Sequence, residues 1–379
     1  MKIVQLPVSK SLCIRKLFSD FLYNQYFDVV PDDFPSDVCV TYHCLTTISK
    51  AMNSKECVEV NACDCGAAYR FLMAVLSVTP GSWLLTGTDR LLQRPMDELA
   101  DCLIAIGADI QKVDKGWQIR GKRLAAKELT IDCSRSSQFA SALLMIGDKI
   151  SLENLNVIPD NPPSAPYIDM TMKVLEQPDL VKTDFADWSA AVYWYARLLL
   201  EGKGTYLLSG LSLESCQQDK VVAQWFAPLG INSVQWSEGV LISAENPVRQ
   251  VSVCWDASRH LDTVPVLACM ACLLPGRFVF EGIDNLIYKE SNRLAVIQEQ
   301  LSAFADIDII NNQLIIMKKS LSEMSEKLFF NPYKDHRFVM GFSLFSLQYD
   351  VEIADADCVS KSYPDFHRQS VVGGMNVVG

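Results

Sequence analysis

Pro80-Gly81-Ser82-Trp83-Leu84-Leu85-Thr86-Gly87-Thr88-Asp89-Arg90-Leu91 is echoed far downstream by Pro275-Gly276-Arg277-Phe278-Val279-Phe280-Glu281-Gly282-Ile283-Asp284-Asn285-Leu286. The Pro, first Gly, aromatic residue, second Gly, Asp and Leu fall in step without a gap. Another copy begins at Gly204, carries Tyr206 and ends at Gly210, and a weaker one runs through Ile150, Leu152 and Leu155. Each reads as a glycine that stops a helix, a short strand of aromatic and branched residues, then a turn. Apolar stretches at 67–78, 189–200 and 263–273 supply the preceding helices. Repeats of this length imply domains assembled from stacked copies of one α/β unit. Copies occur in both halves of the chain, so two related domains are expected. A short polar stretch at 183–186, before a helix starting at Asp187, is the expected boundary. Residues 159–166 are also Pro-rich, but 167–176 continue as a helix, so that segment reads as a functional loop.

The bulk numbers agree with two domains. The chain has 379 residues, 49% of them hydrophobic, whereas single cores stop growing near ~250–300 residues. Its net charge of −11 argues against nucleic acid and anionic membranes as partners. Anionic substrates would need a local cluster of Lys and Arg. The 13 cysteines are odd in number and include no repeated C-x-x-C pair. They read as reduced, mostly buried thiols of a cytoplasmic protein. The opening MKIVQLPVSKS shows no signal-peptide core and no run reaches ~18 apolar residues, so a soluble chain is expected.

Many cations sit beside Ser, Gly, Asn or Asp where a strand is expected to turn into a helix: Lys10 and Arg15, Arg70, Arg94, Lys289 and Arg293, Arg337, and Lys361. Helix N-termini at such turns present free N–H groups to anions. Taken singly, each cation reads as a solvated surface charge; their shared location points to anion binding. The motifs around them are more specific. Leu6-Pro7-Val8-Ser9-Lys10-Ser11 with Arg15, Gly66-Ala67-Ala68-Tyr69-Arg70-Phe71-Leu72, Gln93-Arg94-Pro95-Met96 and Ser136-Ser137-Gln138-Phe139 occupy the first half. Ser164-Ala165-Pro166-Tyr167-Ile168-Asp169 follows, then Asn285 with Lys289-Glu290 and Arg293, Asp335-His336-Arg337, and Lys361-Ser362-Tyr363-Pro364-Asp365. In this order they resemble the signature segments of the shikimate-type enolpyruvyl transferases, from residue 6 to residue 365.

That resemblance implies an α/β fold of two similar domains, each built from three βαβαββ repeats, with the active site in the interdomain cleft. One domain would span residues 10–186, the other 1–9 and 187–379. The implied reaction transfers the enolpyruvyl group of phosphoenolpyruvate to the 5-hydroxyl of shikimate 3-phosphate and releases phosphate, within the shikimate pathway to chorismate and the aromatic amino acids. Ser136, Ser137 and Ser164 would bond the shikimate phosphate, with Tyr167 nearby. Ser11 and Arg15 would hold the ring carboxylate, and Asp262, Asn285 and Lys289 the hydroxyls. Lys10, Arg94, Gln138, Arg293, Arg337 and Lys361, with the Gly66 backbone, would form the denser phosphoenolpyruvate pocket. Asp262 and Glu290, with Lys10 and Lys361, are the implied acid–base groups. No metal or other cofactor is expected, because the cations already neutralise the phosphates, and the chain is expected to act as a monomer.

Several positions depart from the family pattern. Ala67 stands for Thr, Asp64 for Asn, Cys63 and Val8 for Gly, and Ile14 for the Asn before Arg15, while the acidic pattern within 29–47 keeps only Ser36-Asp37. Two other functions remain open at this stage. One is an inactive homologue that binds anions without turnover, favoured by Cys63, Asp64 and Ala67. The other is transfer to a UDP-linked amino sugar. Leu91-Leu92-Gln93-Arg94-Pro95 lacks the Cys typical of that related loop, and the SSQF and KESNR segments favour shikimate. Glu290 also has a plain structural reading, as a surface carboxylate paired with Arg293 at i+3.

Overall fold

The computed structural model describes residues 1–24, 30–31, 33–52, 54, 56–160, 162–177, 185–248, 250–320, 327–370 and 375–377. It divides into two compact units, Lys10–Thr183 in one and Met1–Ser9 with Asp184–Gly379 in the other. Of the expected boundary at 183–186, residues 183 and 184 lie outside the described residues. So do most of residues 371–379, of which Met375–Val377 forms a strand parallel to Asp350–Ile353.

In the Lys10–Thr183 unit, Cys57–Asn61 runs parallel to Gly81–Thr86, which pairs antiparallel with Gly116–Gly121, and that strand pairs antiparallel with Asp109–Val113. The second unit repeats this pattern with Val251–Asp256, Gly276–Glu281, Gln313–Lys318 and Ala305–Ile310. It repeats it again with Lys2–Gln5, Gly204–Ser209, Gly239–Ala244 and Ile231–Trp236. In the first two copies a helix links the parallel strands, in the third helix Trp188–Glu201 leads into the second strand after the chain has passed through residues 10–183, and in all three a hairpin closes the sheet. Glu128–Asp132 and Asn154–Ile158 form a further parallel pair.

The repeated Pro-Gly motif lies at the start of the second strand of its copy. Gly276 is needed there: its φ is +144°, and a Cβ would meet the Val251 carbonyl oxygen at 1.9 Å. The aromatic residue two positions on points inward in every copy, so that Trp83, Tyr206 and Phe278 are all buried.

Sheets form the outside of each unit, and helices fill its interior. Strands such as Glu128–Asp132 and Ala305–Ile310 alternate in burial along their length, as half-buried strands must. Helix Val264–Leu273 is buried on every side, consistent with its nearly unbroken apolar sequence. The sequence-expected helices are observed as Gly66–Val78, Trp188–Glu201, Val264–Leu273 and Pro166–Glu176. All thirteen cysteines are free thiols. Cys254 is exposed rather than buried, because it falls on the outward phase of Val251–Asp256.

The two chain crossings lie side by side in the second unit. Val8 bridges Ala186, Ser9 N donates to Phe185 O at 2.7 Å, and Asp187 N donates to Pro7 O at 3.0 Å. Val8 is buried in this bridge, a packing role open to a valine where the family pattern has Gly.

Candidate active site

Motif residues cluster at helix N-termini within each unit. In the Lys10–Thr183 unit they open helices Lys10–Ser19, Gly66–Val78, Gln138–Met145 and Pro166–Glu176. Gly66 lies under the Arg94 guanidinium, where a Cβ would meet Arg94 Nη1 at 2.3 Å. Arg94 Nε has no hydrogen-bond partner among the described residues, leaving a donor for an anion. Arg70, which the sequence reading left without a role, links three motifs. Its Nη1 donates to Gly66 O and Gln138 Oε1, each at 2.9 Å, and its Nη2 to Pro95 O at 3.3 Å. An arginine one helical turn after a glycine that begins the helix is the sequence signal for such a brace.

Ser136 Oγ accepts from Gln138 N at 3.3 Å, and Ser137 precedes the same helix. Ser164 adopts a φ of +58°, and its carbonyl accepts from Tyr167 N at 3.1 Å. Arg15 is buried and donates to Thr171 Oγ1 at 2.8 Å, Ser11 O at 2.9 Å and Tyr167 O at 3.1 Å. It therefore braces the Ser164–Tyr167 turn. Lys10 Nζ pairs with Asp37 Oδ2 at 3.0 Å, which explains what remains useful in the retained Ser36-Asp37.

Cys63 has a φ of +50°, a left-handed conformation that costs an L-residue roughly 1–2 kcal/mol. This is the physical reason for Gly in the family pattern. Here Asn61 Oδ1 accepts from Cys63 N at 2.8 Å and stabilises the turn. Asp64 faces outward enough to accept a 3.4 Å bond from Thr88 Oγ1.

In the second unit, one guanidinium organises the candidate site. Arg293 starts helix Arg293–Leu301 and is fully buried. Its Nε donates to Asp335 Oδ2 at 2.9 Å, Nη1 to Leu261 O at 3.3 Å and Asp262 Oδ1 at 2.9 Å, and Nη2 to Glu290 Oε2 at 3.0 Å and Asp335 Oδ1 at 3.4 Å. Sequence reading places Arg293 among the phosphoenolpyruvate ligands. In this structure its donors are engaged by the protein, and it would reach a ligand by exchanging one of these partners. The i+3 pair of Glu290 and Arg293 is present, and it is one strand of a larger network.

Lys289 Nζ adds a second cation 3.3 Å from Asp262 Oδ1. Burial pushes the Asp262 carboxyl up, but Lys289, Arg293 and Arg337 outweigh it and hold the group well below the usual carboxylate range. Asp262 is thus an anion at neutral pH and a hydrogen-bond acceptor. Asp335, fully buried, caps helix His336–Ser343 by accepting from Arg337 N at 3.0 Å. Its role was missed in the sequence, although an Asp immediately before an apolar helix is a capping signal. Asn285 lies in the 3₁₀ turn Asp284–Tyr288, while Arg337 and Lys361 are buried near the ends of their elements.

These units define a repeated α/β protein with cationic motif residues at or near helix N-termini. The chain belongs to the EPSP synthase (3-phosphoshikimate 1-carboxyvinyltransferase) family, whose model matches residues 41–180 and 185–369. A 3-phosphoshikimate 1-carboxyvinyltransferase from Bacteroides fragilis is 30% identical, covering 96% of this chain and 93% of the relative. The corresponding protein from Pyrococcus abyssi is 27% identical, covering 96% and 92%. An EPSP synthase structure from Acinetobacter baumannii has the same fold, with a TM-score of 0.67 and 17% identity over 97% of this chain and 94% of that one. Among the described residues, no helix is long and apolar enough to cross a membrane.

Proposed function

We propose that this chain transfers the enolpyruvyl group of phosphoenolpyruvate to the 5-hydroxyl of shikimate 3-phosphate and releases phosphate. The observation that carries the reading is the Arg293 network with Asp262, Glu290 and Asp335 in a chain that the family model matches over residues 41–180 and 185–369. In this proposal a single cytoplasmic chain is the working unit.

Ser136, Ser137 and Ser164 bond the acceptor phosphate beside Tyr167, and Ser11 with Arg15 faces its ring carboxylate. Asp262 and Asn285 take its hydroxyls, with Lys289 balancing charge. Lys10, Arg94, Gln138, Arg337 and Lys361, with the Gly66 N–H, hold phosphoenolpyruvate; Arg293 joins them by partner exchange. The acceptor oxygen adds to C2 of phosphoenolpyruvate while a proton reaches C3. Loss of a C3 proton and departure of phosphate then restore the double bond. Asp262, held anionic, accepts from the hydroxyl, and it shares the acid–base work with Glu290, Lys10 and Lys361.

Phosphate release from phosphoenolpyruvate is expected with shikimate 3-phosphate and to persist in a chelator. Release only with a UDP-linked amino sugar would replace the acceptor; no release with either acceptor would favour the inactive homologue. Arg94→Ala should raise the phosphoenolpyruvate KM by roughly ten- to hundredfold, since a lost charge-assisted bond is worth about 1.5–3 kcal/mol. Steady-state kinetics with each substrate varied separately checks this, and an unchanged KM would remove Arg94 from the pocket.

A further inference from the structure

The turn at 257–263 carries Asp262 between strand Val251–Asp256 and helix Val264–Leu273. Its backbone is fixed by Ala257 N donating to Glu281 O at 2.9 Å, His260 N to Ala257 O at 2.8 Å, and Thr263 N to His260 O at 2.9 Å. On one side, Lys289 and Arg293 grip Asp262. On the other, the His260 side chain leaves the turn and stands edge-on to Trp225, with ring centres 5.2 Å apart. Its Nδ1 lies 3.7 Å from Asp219 Oδ1 and has no hydrogen-bond partner among the described residues. Asp219 is buried, and its other oxygen accepts from Ser189 Oγ in the first turn of helix Trp188–Glu201.

The 3.7 Å separation is too long for a hydrogen bond, but a charge pair in this buried place is only weakly screened. A neutral imidazole leaves Asp219 to Ser189. A protonated one adds an ion pair that ties the Asp262 turn to the helix beginning at Trp188. Asp256 also feels His260: its carboxyl is held below the ordinary range chiefly by Ser258, with His260 and Arg259 adding to the effect.

We propose that His260, acting through Asp219, is a positioning residue for Asp262 and sets the affinity for the acceptor hydroxyl. This rests on the shikimate 3-phosphate reading above.

The test compares His260→Gln with the parent chain across pH. The ratio of variant to parent KM for shikimate 3-phosphate cancels titration of the substrate phosphate. It is expected to fall from about fivefold near pH ~5.5 toward one near pH ~8.5, with kcat and the phosphoenolpyruvate KM little changed. Asp219→Asn should give the same profile. A pH-independent ratio, or an effect confined to kcat, overturns the proposal. Proton NMR of the parent provides a measurement that needs no variant to fold, because the chain has only four histidines. By reciprocal linkage, bound shikimate 3-phosphate should shift the His260 ring resonances. An active parent whose His260 ignores bound acceptor overturns this proposal alone. A parent that neither turns over nor binds shikimate 3-phosphate overturns the functional reading and this proposal with it.

Discussion

Glu290→Gln is expected to lower kcat by about 10²–10⁴ while leaving both substrate affinities within a fewfold of the parent. Glutamine keeps the shape and a carbonyl oxygen that can still accept from Arg293 Nη2, now 3.0 Å from Glu290 Oε2. What it loses is the group that carries a proton to or from C3. Steady-state kinetics with separately measured dissociation constants decides between two roles. If kcat stays within a fewfold while phosphoenolpyruvate affinity falls, Glu290 serves only to hold Arg293, and proton transfer belongs to Asp262 and the lysines. The same substitution therefore separates chemistry from positioning at a residue whose sequence context supports both.

Legibility differed between the framework and the site. The Pro-Gly-x-aromatic repeat announced where strands begin, because the backbone approach at Gly276 is a local consequence of strand geometry, whereas the burial of Trp83, Tyr206 and Phe278 depends on how the sheets pack. The parallel–antiparallel order of each sheet depends on pairings between distant segments and could not be read that way. In the site, the i+3 spacing of Glu290 and Arg293 foretold their ion pair. The convergence of Asp262 and Asp335 on the same guanidinium did not show, since neither lies near Arg293 in sequence. Arg15 and Lys10 illustrate the same limit. Their partners Thr171 and Asp37 become visible only after helices pack, so a cation that reads as a ligand in sequence can also serve as a brace.

Arg293→Met should cost about 3–5 kcal/mol of stability, because it leaves buried carboxylates without their central cation. Asp335 suffers most: it is fully buried and would retain Ser291 Oγ, 3.2 Å away, and Arg337 N as donors. Asp262 would also lose one of the cations that hold its carboxyl low, alongside Lys289 and Arg337. A carboxylate with a depressed folded-state pKa adds stability above its unfolded pKa and loses it as pH falls through the folded value. Weakening that depression reduces this contribution and moves its loss to higher pH. The acid limb of the stability curve should therefore begin less far down in Arg293→Met than in the parent. Asp335→Asn provides the partner measurement, since Asn remains a good helix cap while removing the buried charge. Alone it should destabilise by exposing Arg293 to an incomplete set of acceptors. Combined with Arg293→Met, it should recover part of the loss, giving a coupling of about 1–3 kcal/mol in denaturant melts. Strict additivity of the two substitutions would mean that the Arg293–Asp335 contact carries little of the network's energy.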